Sequence, residues 1–121
     1  MTDILALRPF IPAKDFEVSK RFYQSLGFVI SHQDAWIAGM KMGGQSFILQ
    51  KFYVQEAAEN MMIQILTRDA DAWWSRIDGE KLVAEFGVKP PRAPAMQEWG
   101  LKVGFLFDPS GVLWHIAETA F

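Results

Sequence analysis

The chain contains no cysteine, and that single absence removes several kinds of chemistry. Disulfide frameworks, thiolate nucleophiles and zinc–thiolate sites are all excluded. Long hydrophobic runs are missing as well: nothing approaches the roughly 18–20 apolar residues of a membrane-spanning helix. The opening Met-Thr-Asp-Ile-Leu-Ala-Leu-Arg has neither the charged start nor the apolar core of a secretory signal. A cytoplasmic protein without a membrane partner is therefore the expectation. Charge of one sign is also lacking, since 12 basic residues stand against 14 acidic ones for a formal net charge of −2. No basic run or stripe occurs, so nucleic acid is not an expected partner.

What is present is a folded chain of 121 residues, half of them hydrophobic. That length fits a single domain, 1–121, with one hydrophobic core. Phe, Trp and Tyr make up 14% of the chain, with five tryptophans. Such a surplus either builds a large aromatic core or lines a ligand surface.

Residues 5–12 pattern as a short strand in which Pro9 and Pro12 cannot donate to a ladder, placing it at an edge. Asp15 is a helix N-cap, and Val18, Phe22 and Leu26 follow as one apolar stripe that Gly27 closes. Strand-like runs come next at Phe28–His32, Trp36–Met42 and Phe47–Val54, separated by the turn residues Gln33-Asp34 and Gly43-Gly44. The second half repeats the order. Met61–Thr67 is a strand, and Asp69 or Asp71 caps a helix carrying Ala70, Trp73, Trp74 and Ile77. Leu82–Phe86 patterns as a short strand, and Lys89–Pro94 as an irregular loop. Lys102–Phe107 and Val112–Ala117 form a hairpin across Asp108-Pro-Ser-Gly111. The strand–helix junctions at Asp15 and Asp69 lie about half a chain apart, which predicts an α+β fold of two βαβββ modules, roughly 1–56 and 57–121.

Three stretches carry a resemblance: Pro12-Ala-Lys-Asp15, Arg21-Phe-Tyr-Gln-Ser-Leu-Gly-Phe28, and Phe107-Asp-Pro-Ser-Gly-Val-Leu-Trp114. Together they resemble the glyoxalase/bleomycin resistance/extradiol dioxygenase (vicinal oxygen chelate) superfamily over essentially the whole chain. Gln97-Glu-Trp-Gly100 and Ile11-Pro-Ala-Lys-Asp-Phe16 are similar to the metal-free bleomycin resistance proteins within it. The resemblance implies a curled mixed sheet with a cavity in its concave face, a homodimer, and an antibiotic-like small-molecule ligand. It also implies four positions at which the superfamily's enzymes hold a metal, here Arg8, Gln50, Met62 and His115. Only His115 is a competent ligand. Arg8 has no lone pair to offer, Met62 is a soft thioether, and Gln50 is a weak neutral donor. No metal and no cofactor are expected.

The same positions are candidates for a binding surface. Ile48 and Phe52 share a strand face with Gln50, and Gln64 shares one with Met62. Trp99, in a loop beside Gly100, is placed to stack on a flat heteroaromatic ligand. Trp36 and Phe47 are further aromatic candidates, whereas the strand methionines fit packing better. No Asp or Glu is placed in sequence to orient His115 as a base, and Ser46 or Ser110 makes a poor nucleophile partner for it. The leading expectation is a metal-free, bleomycin-resistance-type protein that sequesters a bulky natural product. The alternative is a glyoxalase- or dioxygenase-like enzyme, or a biosynthetic accessory protein, acting on a small carbonyl or anionic substrate.

Overall fold

A computed structural model describes residues 3–120 of the chain. In chain order its elements are β1 (Phe10–Pro12), α1 (Phe16–Leu26), β2 (Val29–Gln33), β3 (Ile37–Met42), β4 (Gln45–Gln50) and α2 (Gln55–Glu59). They continue with β5 (Met62–Thr67), α3 (Ala70–Trp74), α4 (Gly79–Phe86), β6 (Arg92–Met96), β7 (Lys102–Phe107) and β8 (Leu113–Glu118). They form two four-stranded sheets, ordered β1-β4-β3-β2 and β5-β8-β7-β6. In each sheet one parallel pair is followed by antiparallel ones, so the two halves share a topology. This is an α+β fold built from two βαβββ-type units.

Local chemistry sets the boundaries. The Asp15 carboxylate accepts from the Val18 N–H at 3.2 Å, and Gly27 leaves α1 at φ 110°, a conformation that costs other residues energy. Asp69 caps α3 in the same way through the Ala72 N–H at 2.9 Å. Asp34 Oδ1 accepts from the N–H groups of Trp36 and Ile37 and so shapes the β2–β3 turn. Gly43, at φ 59°, carries the two-residue turn from β3 to β4.

Four expectations are corrected. The strand expected over 5–12 is regular only at Phe10–Pro12, and the residues before it are exposed. The run expected to be a strand through Val54 ends at Gln50 and gives way to α2. Leu82–Phe86 is the C-terminal part of helix α4, because Asp78 accepts from the Lys81 N–H and starts a helix whose Phe86 meets Phe22 of α1, edge to face at 5.5 Å. The Pro-rich loop gives rise to β6, tolerated because β6 lies at a sheet edge and its ladder shifts register between Arg92 and Ala95.

One core spans both halves. Tyr23, Phe28, Phe47 and Trp114 pack as an aromatic cluster with centroids 4.9–5.8 Å apart. Much of the aromatic surplus is therefore core. Below this cluster the buried Asp108 carboxylate accepts from the Tyr23 hydroxyl at 2.5 Å and from the Ser110 and Val112 N–H groups at 2.8 Å each. The Trp114 indole N–H donates in turn to the Tyr23 oxygen at 3.0 Å. Ser110 Oγ accepts from the Lys14 N–H at 2.8 Å, a second tie between the halves.

Burial pushes the Asp108 carboxyl up to about 6, against the opposing pull of its hydrogen bonds. Burial and the neighbouring Asp108 charge push the Tyr23 phenol well above its ordinary value. Because Asp108 holds its proton more tightly in the folded chain, its stabilising contribution is complete below about pH 4 and is lost as pH rises through about 6. Asp108→Asn, which does not titrate, is expected to gain on the wild type by about 2–3 kcal/mol between pH 4 and pH 7. Urea unfolding at both pH values reads that difference, and parallel stability profiles would refute it. A second outcome concerns Gly104 of β7. A Cβ there would stand 2.7 Å from the Trp74 ring of α3 and 3.2 Å from Pro94. Gly104→Ala is expected to lower stability by about 1–3 kcal/mol, measured by thermal unfolding.

Candidate functional site

The sides of the second sheet are assigned by its register. Leu106, Trp114 and Ile116 point into the core and Gly104 lies under Trp74, so the alternate residues of β7 and β8 face away from the helices. On that helix-free face Gln64 of β5 pairs with His115 of β8, His115 with Phe105 of β7, and Phe105 with Arg92 of β6. These four side chains form one row across the sheet. The Phe105 ring meets His115 edge-on at 4.9 Å. The Trp99 ring, from the loop between β6 and β7, stands 6.2 Å from the imidazole with its plane tilted by 30°. Trp99 remains 56% exposed. It therefore offers a free aromatic face beside a half-buried histidine.

Burial lowers the His115 pKa from its ordinary value. Near neutral pH the ring is uncharged, with one nitrogen donating and the other accepting. Gln64 adds an amide beside it. Met62 and Leu66 flank Gln64 on the same face and are both exposed. The arrangement combines an aromatic surface with a few hydrogen-bonding tips, the composition from which small-molecule sites are commonly built.

The remaining sequence candidates fall elsewhere. Gln50 and Phe52 come together on the first sheet, where they line a cavity of about 180 Å³ with Phe10, Pro12 and Met61. Phe47 points to the opposite side of β4. It is 3% exposed, sits in the aromatic cluster, and forms a wall of an apolar cavity of about 500 Å³ together with Phe28, Gln64 and Trp114. Trp36 is exposed just ahead of β3, with the Lys51 ammonium 5.6 Å above its ring. Arg8 is exposed in the segment before β1 and belongs to no strand. Three residues on the helix-free faces were not among those candidates: Phe105, Arg92 and His32, whose ring lies where a side chain at Gly39 would stand. Phe105 had a signal, because the Asp108–Gly111 turn fixes the hairpin register and so sets it opposite His115. Arg92 had none, since β6 emerges from a proline-rich run.

The superfamily's metal positions provide a test of fit. Met62 and His115 share a face on neighbouring strands, but Gln50 lies on the other sheet and Arg8 outside both. Among the described residues no three His, Cys, Asp or Glu side chains converge as a metal-holding group. One imidazole with a thioether, an amide and a fixed cation is not a donor set for a divalent ion. These residues do not fit a metal.

The chain is 28% identical over 128 residues to a bleomycin resistance protein of Klebsiella pneumoniae, a match covering 92% of this chain and 90% of that one. Its fold is similar to the bleomycin-binding protein of the bleomycin-producing Streptomyces verticillus, solved in complex with copper(II)-bleomycin. That likeness has a TM-score of 0.75 at 22% identity and covers 98% of this chain and 99% of that one. It is also similar to a lactoylglutathione lyase of Agrobacterium tumefaciens, with a TM-score of 0.65 at 15% identity over 96% and 95% of the two chains. No helix among the described residues is long and apolar enough to cross a membrane. With the family model matching residues 5–116, the chain belongs to the Glyoxalase/Bleomycin resistance protein/Dioxygenase superfamily.

Proposed function

We propose that this protein captures a bulky, bleomycin-like natural product in the cytoplasm and holds it without chemical change. The observation that carries this reading is the exposed Trp99 ring beside the neutral His115 on the helix-free face of the second sheet. A flat heteroaromatic group stacks on the indole, while Gln64 and His115 hydrogen-bond its polar edge. The bleomycin resistance relative and the bleomycin-bound structural neighbour point to the same ligand class. The donor set at Arg8, Gln50, Met62 and His115 gives metal-assisted isomerisation or ring cleavage no foothold.

The binding unit in this reading is a homodimer. Ile4, Leu5 and Leu7, ahead of β1, are 70%, 93% and 92% exposed. Phe10, Met62 and Leu66 add apolar surface on or beside the helix-free faces. Burial of such side chains stabilises association by about 25 cal/mol for each Å² removed from water, and a second copy is the partner that could cover them by exchanging its first segment.

Titration with a bleomycin is expected to quench tryptophan fluorescence with near-stoichiometric saturation. Trp99→Ala is expected to weaken binding by roughly 10- to 100-fold. Absence of quenching across a panel of such drugs would retire the antibiotic reading, and stoichiometric Fe, Ni, Mn or Zn in chelator-free protein would favour the enzyme alternative. Light scattering at micromolar concentration is expected to give a dimer mass, and a clean monomer would refute the assembly.

A further inference from the structure

Four segments from both halves of the chain converge on a further cavity of about 250 Å³. Its walls are the β1–α1 junction at Lys14, helix α2 with Glu59, the stretch after α4 at Lys89, and the β7–β8 turn at Ser110. It shares no lining residue with the row of Gln64, His115, Phe105 and Trp99, so what it binds is independent of the capture reading.

Two ammonium groups border this cavity without a carboxylate partner among the described residues. Lys14 Nζ stands 5.7 Å from the centroid of the Tyr53 ring, and Lys89 Nζ 5.2 Å from that of Phe107. A ring face attracts an ammonium through its quadrupole, yet it leaves the group's charge and its N–H donors for another acceptor. Lys20 and Lys102, by contrast, are paired with Glu17 and Asp71.

At the floor, Ser110 is only 4% exposed. Its oxygen accepts from the Lys14 N–H at 2.8 Å, while its own proton meets no protein acceptor among the described residues. A buried hydroxyl in that state is a donor in want of a ligand oxygen. Asp108 does not supply one, because its oxygens are taken by the Ser110 and Val112 N–H groups and by the Tyr23 hydroxyl. The rim carboxylate is Glu59, to which the Gln55 amide donates at 3.2 Å.

We propose that this cavity binds a small oxyanion, the carboxylate or phosphate end of a small metabolite, between Lys14 and Lys89 with the Ser110 hydroxyl donating to it. The Tyr53 and Phe107 rings give apolar walls for the carbon part of such a molecule. Glu59 opposes the bound charge from the rim. An occupant that touches the Lys14 junction and the Ser110 turn at once bridges the two halves, and so stabilises the fold by mass action.

The test titrates inorganic phosphate and acetate separately, each against sodium chloride at matched ionic strength, and follows the backbone amide NMR shifts. Saturable shifts at Lys14, Val88, Lys89 and Ser110 are expected for at least one of them, with a dissociation constant on the order of 1–10 mM. The tighter of the two tells a phosphate end from a carboxylate end. Lys14→Ala and Lys89→Ala are each expected to weaken binding by roughly three- to tenfold, and the double substitution to abolish it. Glu59→Gln is expected to tighten it by about twofold. Lys81→Ala, on α4 outside the cavity, is expected to bind as the wild type does. Shifts that chloride reproduces, shifts spread over the whole chain, binding that survives the double substitution, or an equal loss in Lys81→Ala each overturn the proposal. All three lysines are exposed, so an unaltered amide spectrum of each variant in chloride separates lost binding from lost fold, and Glu59→Gln tests the site with both lysines in place.

Discussion

The buried carboxylate of Asp108 is the constraint on which the rest of the structure depends. It accepts from two N–H groups of its own turn and from the Tyr23 hydroxyl, 85 residues away in sequence. The first two bonds lock the β7–β8 turn, and the third joins that turn to α1. A carboxylate removed from water is tolerated only when such donors surround it. Here they also orient it. The shape of the turn, the docking of the first helix and the position of Trp114 beneath the aromatic cluster all follow from one group.

The helix-free face of the second sheet inherits its geometry from that lock. With Phe107 paired to Leu113, Phe105 must lie opposite His115, and the imidazole must point away from the core that Trp114 and Ile116 enter. A slip of one residue would exchange the two faces, turning histidine inward and tryptophan outward. The aromatic contacts around His115 are thus the outer consequence of a hydrogen-bond network on the inner side. The imidazole's own desolvation on that face lowers its pKa.

Several parts of the fold were legible because their causes are local. Asp15, Gly27 and Asp69 cap helices with side chains or dihedrals that need only the next few residues, and the Asp-Pro-Ser-Gly turn announces its hairpin. Leu82–Phe86 was not legible as helix, because five apolar-rich residues suit a strand or a helix equally. Asp78 starting the turn and Phe22 receiving Phe86 decided the matter. Phe47 shows the same limit within a strand: its aromatic character marked it as a candidate, but the face it occupies depends on where Tyr23 and Trp114 stand. For the site, His115 and Trp99 were legible as residues, but the approach of their rings was not.

The amino-acid sequence by itself determined the helix caps, the hairpin register that sets Phe105 against His115, and the residue types at Arg8, Gln50, Met62 and His115. Each of these is satisfied by chemistry within a short stretch or by the residue types present. Only the tertiary structure decided which aromatics are core and which are exposed, and that a proline-rich run could close a sheet as its edge strand. Those outcomes depend on groups far apart in the chain competing to leave water, and no local pattern records which of them succeed.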